Sequence, residues 1–214
     1  MDKAFQDLDD WFTSSDMPNG KKQVLKAALK LFSTQGYDGT STAQIAKMSG
    51  MSQATIFKYF KSKDELLLYI IKPMIEHLLP VYGQEFAQEV QGQTTTLEDA
   101  VHFIVQNRYQ FLVQNRDVAI ILISQLIIND DIKGMVLDKI ASLKEIFVDN
   151  IWKNLQASGE LREDIDLITF VRLVASQIVF YFMQSQRIMQ ITDEQQIQND
   201  LHKIEALIIR AIKK

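Results

Sequence analysis

The sequence predicts an all-α protein. Apolar residues recur three and four positions apart nearly throughout, the period of an amphipathic helix. No segment shows the apolar–polar alternation of a strand, and only three prolines and eight glycines punctuate 214 residues. A chain of this length buries a core without staples. With no cysteine it has neither disulfides nor thiolate metal sites.

The elements follow in order, about nine helices in all. In the first nineteen residues Phe5, Leu8, Trp11 and Phe12 fit one apolar face of a short helix, while the acidity of the segment suits an unstructured tail equally well. Val24, Ala27, Ala28, Leu31 and Phe32 form the next apolar face, which Gly36 closes. Ser41 with Gln44 reads as a capping box opening a short helix that buries Ile45 and Ala46. Gly50 ends it, Met51 turns inward, and Ser52 caps a second short helix through Phe60. Ser62 with Glu65 starts a longer helix at Lys63, in which Pro73 should force a kink or break near Ile71. Further on, Thr95 with Glu98 caps a helix carrying Val101, Ile104, Val105, Phe111 and Leu112. The run "DVAIILISQLII" is apolar all round and reads as a buried helix. A stripe from Ile132 through Leu155 ends at Gly159. Two strongly apolar helices close the chain, at about 166–189 and 193–213, the second opened by Thr192 and Gln195.

The net charge of −4 is unevenly spread. Residues 1–19 carry one Lys against five Asp; residues 20–66 carry eight Lys against three acids, a balance of +5; the remainder is acidic again. A compact basic segment in an acidic protein is the electrostatic footprint of a polyanion contact. The uninterrupted apolar stretches are shorter than the roughly 20 residues of a membrane span, and the N-terminus lacks the pattern of a signal peptide. A cytoplasmic location with no membrane contact is expected. Three segments result: an acidic extension 1–19, a basic three-helix unit 20–66, and an acidic helical bundle 67–214.

Two short helices joined by a tight glycine-containing turn are the helix-turn-helix unit, whose second helix lies in the major groove. Ile45, Ala46, Met51 and Ile56 hold such a pair together, leaving Gln53, Ala54, Thr55, Lys58 and Tyr59 facing outward. Gln bonds adenine bidentately, the Thr methyl meets a thymine methyl, and Lys, Ser and Tyr suit phosphates. Phe57 and Tyr59 cannot both be buried beside Ile56 and Phe60, so at least one is exposed.

The stretch "AALKLFSTQGYDGTSTAQIAKMSGMSQATIFKYFKSKDEL" resembles the DNA-binding domain of the tetracycline-repressor (TetR) family of bacterial transcriptional regulators. The resemblance implies a phosphate contact at Thr42 and a recognition helix beginning at Ser52, Gln53, Ala54 and Thr55. It further implies that Phe57, Lys58 and Tyr59 flank the groove and that Lys63 meets a phosphate. Position 57 is commonly Tyr in the family, so Phe57 lacks one hydroxyl. The family pattern also implies a homodimer through the last two helices, a double-stranded palindromic operator, and repression relieved by a small-molecule effector. Residues suggested for the effector pocket are Phe103, Asn107, Arg108, Phe111, Gln125, Phe147, Trp152, Gln177 and Phe180, a mixture of aromatics and amides. Arg108 is the most pointed of these because it sits in an apolar stripe. It either snorkels to solvent, pairs with an acid, or meets an anionic ligand.

Enzyme chemistry is not expected. His77, His102 and His202 are far apart in the sequence, and no HExxH, phosphate-loop or dinucleotide pattern occurs. Glu98 and His102 share a helix face, but two ligands do not make a metal site. No metal and no cofactor other than an unidentified effector is expected. The competing function is a helical small-molecule- or partner-binding protein that does not use its helix-turn-helix on DNA.

Overall fold

Helices dominate the computed structural model, which describes residues 3–93 and 96–214. Helix α1 (Lys3–Ser14) is ordered by burial: Leu8 and Phe12 are fully enclosed, and the Trp11 ring lies between Phe12 and His77. The expected side chain at Phe5 lies outside the described residues. Helix α2 (Asn19–Gln35) buries Val24, Leu25, Ala28, Leu29, Leu31 and Phe32 and stops at Gly36, whose φ of 80° suits glycine. Helices α3 (Thr42–Ser49) and α4 (Gln53–Tyr59) follow, then α5 (Lys63–Pro73).

The kink or break expected near Ile71 takes the form of an interrupted α-helix: α5 ends at Pro73, where Met74 N donates to the Ile71 carbonyl. Pro73 lacks the N–H that would bond one turn back, and the helix widens into a π-type turn at Met74–Leu78 before α6 (Leu79–Gln93) resumes. A second such turn, Val148–Trp152, separates α9 (Asp130–Phe147) from α10 (Lys153–Ala157), and a third, Gln184–Ile188, extends α11 (Leu167–Met183). Helices α7 (Leu97–Gln114), α8 (Arg116–Ile128) and α12 (Glu194–Ile212) complete the set. Among the described residues two helical runs, 63–90 and 167–188, are long and apolar enough to cross a membrane by length and composition. The sequence count of uninterrupted apolar stretches had missed this.

Two compact units are present. The first comprises residues 1–81 and 114–141, with α2 packed against α3, α5 and α8, and α1 laid against α2, α8 and the 74–78 turn. Lys22 Nζ donates to the Thr13 carbonyl at 2.6 Å, fastening the end of α1. Helix α8 is buried through Val118, Ala119, Ile120, Ile121 and Gln125, but its last residues Ile127 and Ile128 are 81% and 62% exposed. The all-round apolar reading therefore holds for only part of that helix.

The second unit comprises residues 82–113 and 142–214. Its helix starts are capped one residue later than expected. Asp99 N donates to Thr96 Oγ1 at 3.1 Å, while Thr95 lies outside the described residues. Asp193 rather than Thr192 accepts from Gln195 and Gln196 at the start of α12. The end of α12 is pinned: Arg162 N donates to the Ile212 carbonyl at 2.8 Å, and Lys213 Nζ reaches Glu98 and Glu160 at 3.0 and 3.2 Å. Glu160 in turn accepts from Leu97 N at 3.2 Å.

Candidate nucleic-acid interface and effector site

The turn between α3 and α4 is built by local chemistry. Ser41 Oγ accepts from Gln44 N at 3.2 Å and Gln44 Oε1 accepts from Ser41 N at 2.7 Å, a reciprocal capping box. Gly50 takes the left-handed conformation (φ 68°, ψ 15°) that ends α3, and Met51 N donates to the Ala46 carbonyl at 3.1 Å. Ser52 Oγ then accepts from Thr55 N at 3.0 Å to open α4. Ile45, Ala46, Ile56 and Phe60 are buried between these helices and their neighbours, in the places the pattern gave them.

The outward face of α4 carries Ser52, Gln53, Ala54, Phe57 and Lys58, all exposed, with Thr55 and Tyr59 half-buried. The aromatic left in solvent is Phe57, at 51% exposure. Tyr59 instead lays its hydroxyl beside Gly20, where an added Cβ would stand 3.0 Å from it. Thr42 is half-buried at the first position of α3. Lys63 has a more specific placement than the family pattern implied. Its Nζ donates to the carbonyls of Tyr37 (2.9 Å) and Thr40 (3.1 Å) and sits 4.0 Å over the Tyr37 ring. The Tyr37 hydroxyl donates to Asp64, and burial together with that carboxylate pushes the phenol up.

The nine suggested effector residues are divided between the two compact units. Gln125 is buried on α8 in the first compact unit; the other eight lie in the second. Trp152 is buried against Phe170, and Phe147 is half-buried at the end of α9. Gln177 and Phe180 line an open cavity of about 610 Å³ between α11 and α12, with Tyr181, Met189 and Ile191. Phe103, Asn107, Arg108 and Phe111 do come together, on α7 facing α6. The Arg108 guanidinium lies 3.7 Å over the Phe86 ring and 4.9 Å from that of Phe111. Phe86 stacks parallel to Phe103, and Tyr82 meets Phe111 edge-on at 5.1 Å. Arg108 donates to Asn107 Oδ1, and Asn107 Nδ2 donates to Glu89 at 2.8 Å. Burial pulls the guanidinium down to about 10, with Glu89 acting in the opposite sense. It remains a half-buried cation in an aromatic box. The sequence reading omitted Tyr82, Phe86 and Glu89, whose three- and four-residue spacing on α6 was the available signal.

An all-helical chain in which a glycine turn presents one short polar helix belongs to the helix-turn-helix class. Residues 24–70 match the family model described as bacterial regulatory proteins, tetR family. That segment is similar to the DNA-binding domain of those regulators. Curated relatives include the HTH-type transcriptional regulator HbdR of Aromatoleum sp. (strain CIB), 36% identical over 84 residues, or 39% of this chain and 35% of that protein. The match thus spans about a third of HbdR. The fatty acid metabolism regulator protein of Bacillus subtilis (strain 168) is 25% identical over 164 residues, 74% of this chain and 76% of that protein. The crystal structure of FadR from Bacillus subtilis in complex with stearoyl-CoA has the same fold. Its TM-score is 0.59 at 19% identity, covering 87% of this chain and 96% of that one.

Proposed function

We propose that the chain is a DNA-binding transcriptional regulator that reads a palindromic operator as a homodimer in the cytoplasm, a repressor released by a small molecule. The observation that carries this is the face of α4: Gln53, Ala54 and Lys58 stand in solvent beside Thr55, on the one basic segment of an acidic chain. Gln53 and Thr55 are the base readers, and Thr42, Ser52, Phe57, Lys58 and Tyr59 the flanking contacts. The segment 20–66 is the DNA-binding domain and 67–214 serves effector binding and pairing.

Pairing is supported by apolar surface that one chain leaves uncovered. Ile168, Val171 and Phe180 on α11 and Leu207 on α12 are between 41% and 66% exposed. A second copy of the same two helices covers them by two-fold symmetry, and a two-fold protein suits spaced half-sites. This also accounts for the apolar run 167–188 without a membrane.

The effector is a bulky, largely apolar molecule with an anionic end. Support comes from the Arg108 box of Tyr82, Phe86, Phe103 and Phe111, and from the similarity to a regulator of fatty acid metabolism that has been solved with stearoyl-CoA. Binding acts by preferring one of two conformations that differ in DNA affinity.

Selection of duplexes from a random pool tests the proposal. A recovered palindrome whose affinity falls steeply with salt, and weakens on addition of a long-chain acyl thioester, is the expected result. Recovery of no enriched sequence, with the protein still folded, would favour a helical binding protein that makes no use of DNA.

A further inference from the structure

We propose that His102, His202 and Glu205 form a site for a divalent transition-metal ion that ties α7 to α12. This does not depend on the DNA-binding reading. His202 and Glu205 are three residues apart on α12 and therefore share a face; His102 meets them from α7. One ligand atom from each of the three lies within 4.8 Å of those of the other two. His102 Nδ1 is 3.0 Å from Glu205 Oε2, and the two imidazole rings lie nearly parallel with centroids 6.1 Å apart.

Two ligands 2.0–2.1 Å from a tetrahedral ion are about 3.3 Å apart. His102 and Glu205 already have that spacing, and His202, on the surface, has to move by about 1.5 Å at most. Glu205 supplies the fixed point. It is 6% exposed, and its second oxygen accepts from Gln106 Nε2 at 2.7 Å. Among the described residues its ion-pair partner is His102, so no lysine or arginine neutralises this buried carboxylate. A buried carboxylate with an amide behind it and two imidazoles in front is an anchored ligand set with its outer shell in place. Glu98, one turn earlier on α7, is taken by Lys213 and stays outside the set.

Two nitrogens and one oxygen favour zinc, nickel, cobalt or copper over calcium and magnesium, which prefer oxygen alone. The exposed imidazole of His102 leaves a further coordination position open to water. Occupancy would cross-link α7, which carries Arg108 two turns further on, to α12.

The test is a titration of tag-free, chelator-stripped full-length protein with Co(II), followed by visible absorption, and with Zn(II) by calorimetry. One ion per chain is expected, with a tetrahedral or five-coordinate Co(II) spectrum and no uptake of Mg(II). His202→Ala removes an exposed side chain and leaves the fold intact by circular dichroism, yet should abolish binding. Gln106→Ala should weaken it by about tenfold. Absence of uptake by the unmodified protein, or unchanged uptake by a folded His202→Ala variant, overturns the site.

Discussion

The ammonium of Lys63 is bonded to the backbone carbonyl of Tyr37, 2.9 Å away and 26 residues earlier, and to that of Thr40 at 3.1 Å. The start of α5 is thereby bolted to the loop that delivers α3. Lys63→Met should lower stability by about 1–3 kcal/mol through loss of these charge-assisted bonds, read as a shifted urea midpoint. If Lys63 serves only as a phosphate contact, the midpoint stays put and the salt slope of DNA binding falls by about one instead.

Gln53 is exposed on α4, on the face proposed to meet DNA. Gln53→Ala should reduce the preference for operator over random duplex by about 1–3 kcal/mol while leaving the random affinity alone. Competition binding at fixed salt separates the two.

Phe12 is fully enclosed although it belongs to the acidic start of the chain. Phe12→Ala should destabilise the protein by about 3–5 kcal/mol, the usual cost of a large buried cavity. A destabilisation near zero in urea unfolding would mean that α1 is not part of the folded core.

Leu207 and Ile168 are 57% and 66% exposed, so changing them costs the single chain little. Leu207→Glu combined with Ile168→Glu should halve the mass measured by light scattering and weaken operator binding together. A variant that keeps the mass of the parent would place the pairing surface elsewhere.

Asp166 caps α11 through Thr169 N at 2.7 Å, and hydrogen bonds from the Thr169 side chain and backbone hold its carboxyl below the usual range. A carboxylate depressed by folding contributes stability above its unfolded pKa, about 3.9, and that contribution is lost as pH falls through the lower folded value. Asp166→Asn keeps the acceptor without the titration. Its melting temperature should decline less between pH 5 and pH 3 than that of the parent protein; parallel curves would show that the cap is not linked to protons.

Where local chemistry decides, the sequence was readable. The capping box at Ser41 and Gln44, the stop at Gly50 and the cap at Ser52 fix α3 and α4, and each involves groups within four residues. Caps chosen among adjacent candidates were not: Asp193 outcompetes Thr192 as a charged acceptor near a helix dipole, and a neighbouring Thr offers the same hydroxyl one step away. At Pro73 the local rule gave the place but not the form: the α-helix ends there and a π-type turn at Met74–Leu78 carries the chain into α6. Placements that depend on distant chain stayed hidden. The partners of Lys63 lie 23 and 26 residues away, Arg108 finds Phe86 on another helix, and His102 meets Glu205 across 103 positions. The burial of α1 was equally invisible, since an acidic amphipathic stretch is compatible with a docked helix and with a free tail.

Phe57 stands half in solvent at the end of α4, in a chain without a single thiol. That combination makes the recognition helix addressable by spectroscopy. A lone cysteine at position 57 accepts one spin label or dye per chain at a place whose substitution disturbs no core. In a two-fold pair the two labels define one distance, which reads the spread of the reading heads with and without effector, in solution and free of any lattice.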